Sequence, residues 1–366
     1  MPLLALAALS ETDVAAWQAL AGRAAEPNPF FEPEYALPLA RGTGQLDQAA
    51  LLVVRDGERW LACLPVRRRA AWHRAPLPNL STWRAHALYA LLGTPLIEAD
   101  RLQEGADGLI DEILGARGSL LTALEWLVED GPVYLALRRA LTRRGARTIR
   151  FETFRRAALA RRAEPDYTAA TVSAKHLREY RRQRRRLGEE LGGEMVVADR
   201  AGDPEAVEGL ISMEQRSAVA ARGSVLASDP RHAAFFRDMC ARFAAAGRLQ
   251  LLVLSAGDVP LAYKCNLAAG PGLFMLKIAF DEDHGRFSPG MQLELEMLNF
   301  FHDRPRTAWM DSCADANNAM INRLWPECRT LMTLVIPAPG ARGLLAQPAV
   351  RALRAVRARI NGGPTP

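Results

Sequence analysis

Three strand-like runs in close succession, followed by a short charged loop and a helix start, constrain this chain more than any other feature. Leu249 to Ser255 closes on Ala256-Gly257-Asp258, Pro260 to Leu267 closes on Gly270-Pro271-Gly272, and Leu273 to Phe280 follows. Apolar runs of this length, bounded by Gly, Pro and Asp, predict strands joined by turns. After the loop Asp281 to Phe287, Ser288-Pro289 opens a helix that runs to about Phe301. Helical stretches at Ser173 to Leu191, Pro204 to Ala218 and Pro230 to Ala245 come before the strands. A strand at Thr307 to Cys313, a helix at Ala316 to Leu324 and a last strand at Arg329 to Ile336 come after them. The order predicts an α/β (α+β) fold.

The first half also reads as mixed α/β. Val14 to Ala25 is helical behind a Thr12-Asp13 cap, and Gln48 to Arg55 and Arg59 to Val66 are strands joined at Asp56-Gly57. Asn28-Pro29-Phe30-Phe31 reads as a break with exposed aromatics, and residues 67–90 as an irregular segment. Ala106 to Leu114 and Val133 to Arg144 are helical, with Leu121 to Leu127 a buried strand or short helix. The Ala-Glu-Pro-Asp stretch near 163–166 is the expected boundary, giving domains at 1–165 and 166–338 and a basic amphipathic tail at 339–366. The opening MPLLALAALSETD lacks a basic n-region and reads as a first strand rather than a signal peptide. No short-period repeat is visible, and the sequence does not directly show a duplication at long period.

Of the 366 residues, 49% are hydrophobic and 24% charged, a mix that excludes disorder, collagen and coiled-coil arrays as the main architecture. No apolar run is long enough for a transmembrane helix. The five cysteines are widely spaced and form no CxxC pair, so neither a disulfide framework nor a metal is expected, and the expected compartment is the cytoplasm. The net charge of +6 favours anionic partners without choosing among phosphates, nucleic acid and a membrane surface. Among 47 basic residues only Lys175, Lys264 and Lys277 are lysines.

The strand–loop–helix centre is where chemistry is expected. Ser288 is a good N-cap, Pro289 suits the first turn, and Gly290 lets a ligand approach the backbone. The first-turn amides of Gly290, Met291 and Gln292 then form an anion site, with Arg286 positioned to pair with the same anion. The alternative is a plain strand-to-helix turn with an exposed Arg. Lys277, between Leu276 and Ile278, points to the opposite face from them, where burial requires a phosphate or carboxylate partner; the alternative is a strand-edge lysine pointing to solvent. Lys264 invites the same comparison. Asp311 at a strand end and Glu214 on the second helix are candidate proton acceptors, and Asp281 a substrate-binding candidate. Each also reads as an ordinary strand-end or surface carboxylate. Cys313 has no sequence-adjacent His and reads as structural.

Helical spacing puts Leu177, Tyr180, Leu187 and Leu191 on one side of the 173–191 helix, and Lys175, Arg178, Arg181, Arg182, Arg185 and Arg186 on the other. Arg184 falls inside the apolar stripe, where it must snorkel or meet a buried anion, and it joins the substrate-binding candidates. Val350 to Ile360 is a second basic amphipathic stretch, expected to pack on the body or lie on a membrane.

Four segments taken in order, SAKHLREYRRQRRRL at 173–187, PLAYKCNL at 260–267, LKIAFDEDHGRFSPGMQL at 276–293 and MDSCADANNAMINRLWP at 310–326, resemble a known domain. It is the acyltransferase domain of CelD-like (cellulose-biosynthesis) proteins, within the GNAT superfamily of N-acyltransferases and close to its FemAB branch. NPFFEPEY at 28–35 and LGTPLIEAD at 92–100 resemble the degenerate GNAT-like half that precedes it. The resemblance implies two tandem GNAT-like domains, the first degenerate, and a sheet that splays beside 273–280. It implies acyl-CoA as donor, bound through Arg286, Ser288, Pro289, Gly290, Met291 and Gln292, and direct attack of an amine on the thioester. The superfamily's pyrophosphate loop usually reads Arg/Gln-x-x-Gly-x-Gly/Ala; Arg286-Phe-Ser-Pro-Gly290-Met departs from it with a single glycine. The implied function is N-acylation, acetylation included, of a sugar, lipid-linked or peptide amine in polysaccharide or cell-envelope biosynthesis, with peripheral membrane contact. A FemAB-like aminoacyltransferase, the one reading that brings in nucleic acid as a tRNA donor, and a non-catalytic GNAT-fold scaffold are the alternatives.

Overall fold

The computed structural model describes residues 3–85, 89–168, 171–217, 226, 229–304 and 306–360. The expected helix end at Ala218 and the last six residues of the tail lie outside these. In chain order the elements are β1 (Leu4–Ala5), α1 (Glu11–Ala21), α2 (Pro33–Gly42), β2 (Ala50–Asp56), β3 (Arg59–Arg69), β4 (Asn79–Thr82), β5 (Leu96–Ile97), α3 (Leu102–Gly115), β6 (Leu121–Val128), α4 (Pro132–Arg143) and β7 (Ile149–Ala160). They continue with α5 (Ala174–Leu191), β8 (Met195–Asp199), α6 (Pro204–Gln215), α7 (Pro230–Ala245), β9 (Leu249–Ala256), β10 (Val259–Ala269) and β11 (Gly272–Phe280). The last are α8 (Pro289–His302), β12 (Trp309–Asp311), α9 (Ala319–Leu324), β13 (Glu327–Pro337) and α10 (Ala341–Ile360).

Two compact units divide the chain, one of residues 1–40, 44–155 and 329–366, the other of 41–43 and 156–328. In the first, strands lie in the order β1-β2-β3-β4-β6-β13, with β5 beside β3. All neighbours are antiparallel except β4 and β6. In the second the order is β8-β9-β10-β11-β12-β7, antiparallel except β11 and β12. Each unit carries two helices between its first and second strands and one between the strands of its parallel pair, α3 or α8. The topology is therefore repeated, and each unit takes its last strand from the other half of the chain: β7 closes the second unit and β13 the first. The first copy lacks the second's helix start. Arg101, a cation, stands at the N-cap of α3 without a capping bond, bound instead to Asp56 and Glu104.

Local chemistry corrects several expectations in the first unit. Ser10, rather than Thr12, caps α1, in a reciprocal capping box with Asp13. Phe30 and Phe31 are fully buried, because Asn28 ties the turn by accepting from the Phe30 amide and donating to the carbonyls of Leu92 and Thr94. The stretch 67–90 contains β4, whose polar Asn79, Ser81 and Thr82 are buried and hydrogen-bonded. Glu26 is buried at the start of α4, where its carboxylate accepts from the Val133 amide at 3.2 Å; burial raises its pKa to about 7.

In the second unit one core holds α5 and α8 against the sheet. Leu177, Tyr180, Leu187 and Leu191 pack with Leu252, Leu254, Leu293, Met297 and Phe301. These are the four apolar positions that helical spacing selected, and the six basic residues opposite them are exposed. α6 and α7 pack against the same strands, and α6 approaches closely because a Cβ at Gly209 would meet the Tyr263 hydroxyl. In the first unit α10 packs Ala346 and Val350 against Trp72, Leu121, Phe151 and Val335.

Candidate active site

The site is built where β11 outruns its parallel neighbour. Gly272 pairs with Trp309, Leu273 with Met310 and Phe274 with Asp311, and there the ladder stops. Gly272 is needed at its start: a side-chain carbon there would lie 2.4 Å from the Trp309 ring. The ladder ends because Asp311 turns the chain. Its Oδ1 accepts from the Cys313 amide at 2.9 Å, and Cys313 takes a left-handed conformation at φ 50°. No strand among the described residues continues this side of β11 from Met275 to Phe280. The expected splay beside 273–280 therefore has a local cause, and Asp311 supplies it.

Asp311, the candidate proton acceptor, is thus engaged in a turn and in an ion pair. Its side chain is fully buried, with Arg156 Nη2 at 2.7 Å from Oδ2 and Arg156 Nε at 2.7 Å from Oδ1. Desolvation works against the charge on Arg156, and the Asp311 carboxylate outweighs it, so the guanidinium pKa is raised. Arg156 was missed from sequence, because nothing local marks which face of β7 it occupies or names a partner 155 residues away.

Glu214 and Lys277, singled out separately from sequence, meet as an ion pair between α6 and β11. Glu214 is 3% exposed; Lys277 holds its Oε1, while Oε2 has no hydrogen-bond partner. The strand register pairs Lys277 with Cys265, which puts it on the opposite face of the sheet from Lys264. Lys264 donates to Glu294 Oε1 at 2.5 Å and is more deeply buried than Lys277. Glu294 was also missed, though it was legible: it falls on the apolar stripe of α8 with Gly290, Leu293, Met297 and Leu298.

The loop after β11 folds onto itself. Asp281 accepts from the Asp283 amide at 3.0 Å and lies 2.9 Å from His284 Nδ1. Asp281 also lines a cleft with Met213, Arg216, Ser217 and Phe280. Ser288 departs from expectation. It is left-handed (φ 53°, ψ 51°), and its side chain makes no capping bond. Its carbonyl accepts from the Gln292 amide at 3.0 Å, and the Gln292 side chain donates to the Tyr180 carbonyl at 2.7 Å. Gln292 therefore cannot offer its amide, and Pro289 has none. The anion-binding donors narrow to the amides of Gly290 and Met291. Gly290 is buried, and a Cβ there would sit 3.0 Å from Phe280 Cδ1.

Arg286 is largely exposed and bonds both oxygens of Glu190 through Nη2 at 2.6 Å. Arg184 does meet an anion, as its place in the apolar stripe required: Nη1 donates to Glu296 at 2.6 Å and Nη2 to the Met195 carbonyl at 2.7 Å. The structure thus joins Glu214 to Lys277 and sets Asp281 beside the end of α6. Arg184 is engaged by Glu296, and Asp311 by Arg156. Among the described residues no group of His, Cys, Asp and Glu is arranged to hold a metal ion, and no helix is long and apolar enough to cross a membrane.

Comparison with known proteins agrees with this architecture. The sequence of residues 174–318 matches the family described as the acetyltransferase (GNAT) domain. No curated protein matches the sequence. The crystal structure of FemX is similar over 92% of this chain and 98% of its own, with a TM-score of 0.58 and 10% identity. The C-terminal domain of a putative lysylphosphatidylglycerol synthetase from Agrobacterium fabrum is similar over 93% of this chain and 96% of its own, with a TM-score of 0.54 and 12% identity. At these identities the likeness is one of fold. The family match and the mixed α/β order of strands and helices agree: residues 174–318 match the acetyltransferase (GNAT) domain, within a fold similar to these structures.

Proposed function

We propose that the protein is an N-acyltransferase that moves an acyl group from acyl-CoA to an amine by direct attack, with Glu214 as the proton acceptor. The observation that carries this reading is the Glu214 carboxylate, buried against β11 with Lys277 on one oxygen and no partner on the other. A carboxylate held this way is fixed by a cation on one oxygen and retains the other to receive a proton. Acyl-CoA, when bound, supplies the thioester. The chain's own residues would hold it: the Gly290 and Met291 amides, at the positive end of α8, suit its pyrophosphate. Arg286 can exchange Glu190 for phosphate oxygens, since it lies at the surface. The β11 edge beyond Phe274 offers backbone groups that β12 does not use. Asp281, beside the end of α6, is placed to orient the acceptor amine.

The resemblance of the ordered segments to CelD-like proteins supports a sugar, lipid-linked or peptide amine of envelope or polysaccharide synthesis as acceptor, made on the cytoplasmic side of a membrane. A tRNA-borne aminoacyl donor is the second reading, favoured by the exposed basic face of α5 and by the FemAB-like resemblance. Calorimetric titration with acetyl-CoA and a longer acyl-CoA separates the two. Saturable binding in wild type and in Glu214→Gln, with kcat in the variant lower by about 10²–10⁴-fold, is the expected result. Absence of binding by either compound overturns the acyl-CoA reading.

A further inference from the structure

Six large apolar side chains stand exposed among the described residues, and three of them, Leu344, Leu345 and Val356, belong to α10. This helix is apolar on two sides. Its inner side is committed: Ala346 and Val350 are wholly buried and Leu353 packs beside them. Its outer side carries Leu344, Leu345, Pro348, Ala352, Ala355 and Val356, all exposed. At 100° per residue these six fall within one stripe over about 18 Å of helix. Leu345 is 76% exposed, so the stripe is not covered by the chain's described residues.

The charges that the helix itself carries beside the stripe are of one sign. Arg342 and Arg351 are exposed beside it. Arg357 is turned toward the inner side, where it holds Glu152. No acidic residue follows Glu327 in the sequence, so nothing on this helix neutralises its arginines or repels an anionic surface. An apolar stripe with a cationic rim, on a helix whose other face is fixed, complements a plane that is apolar beneath and anionic at its surface. Protein partners would have to supply both features in matching relief, whereas a bilayer leaflet with anionic headgroups supplies them everywhere.

We propose that α10 lies by its outer side on an anionic lipid bilayer, Leu344, Leu345 and Val356 entering the headgroup–acyl boundary and Arg342 and Arg351 meeting lipid phosphates. This placement is independent of the donor and of the acyl-transfer reading.

The test is co-sedimentation of the full chain with vesicles of phosphatidylcholine alone and with about one third phosphatidylglycerol, at low and at 0.5 M salt. Wild type is expected to bind the anionic vesicles, to bind the neutral ones far less, and to be released by salt. Leu345→Asp, at a position with no packing to lose, is expected to weaken binding by about tenfold or more with an unchanged melting temperature. Arg342→Gln with Arg351→Gln is expected to weaken binding to anionic vesicles only. Equal binding by wild type and Leu345→Asp overturns the proposal, as does the absence of binding to anionic vesicles. Sedimentation velocity covers the rival occupant: a wild-type dimer that Leu345→Asp dissociates, without vesicle binding, assigns the stripe to a second copy of the chain.

Discussion

Arg156 spans both oxygens of the Asp311 carboxylate, 2.7 Å to each, inside the second unit. Removing one partner breaks a buried ion pair. Arg156→Met is expected to lower unfolding free energy by about 3–5 kcal/mol. Asp311→Asn should act mainly on stability for the same reason, with loss of folded protein rather than selective loss of turnover. Urea denaturation of both single variants and the double variant checks this, and the double should cost less than the sum of the singles.

Glu26 gives the first unit a pH dependence of known sign. Its folded pKa, about 7, lies above the ordinary 4.5 because burial disfavours the carboxylate; Arg329 opposes this and Asp130 adds to it. A raised carboxyl pKa means that the folded state binds the proton more tightly. The stabilisation is whole below pH 4.5 and is lost as pH rises through about 7, a change of about 3 kcal/mol. Glu26→Gln should remove this slope and be the more stable protein at pH 8. A melting series from pH 5 to 8 on wild type and variant decides it.

At Gly290 two effects must be told apart. Any β-carbon crowds Phe280 before a ligand arrives. Gly290→Val should therefore cost about 1–3 kcal/mol of stability as well as acyl-CoA affinity. Adding Phe280→Ala should restore the melting temperature without restoring affinity. Recovery of both would mean that the Gly290 amide does not face the donor.

On α5 the stripe and the charged face separate cleanly. Reversing Arg181, Arg182 and Arg185 to Glu should leave the fold intact, as all three are exposed. Arg184→Glu puts a carboxylate against Glu296 and the Met195 carbonyl, and is expected to cost about 2–3 kcal/mol. Thermal melts of the two variants should rank in that order.

How much of this was legible follows from the range of each interaction. The register of α5 was readable because helical periodicity is local, and Arg184 stood out as a misfit in its stripe. The Asp56-Gly57 hairpin was readable for the same reason, its turn residues lying between the strands they join. β4 was hidden because its buried polar side chains find partners that sequence does not name. α2 was hidden by Pro38 in its interior. Ser288 looked like a cap because serine usually is one, but the turn before it forces a left-handed residue. The carboxylates were found by type, whereas their roles depended on remote partners. Lys277 pairs with Glu214, and Arg156 with Asp311.

The exchange of last strands also bears on how the chain comes to be folded. The first unit's sheet begins at Leu4 and is completed only when β13, ending at Pro337, pairs with β6. Everything from Leu4 to Pro337 must therefore leave the ribosome before that sheet can close. Until then β6 waits with an open edge, a template for pairing with a neighbouring nascent chain. Slow, late closure of long-range strand pairs is the expected rate-limiting event.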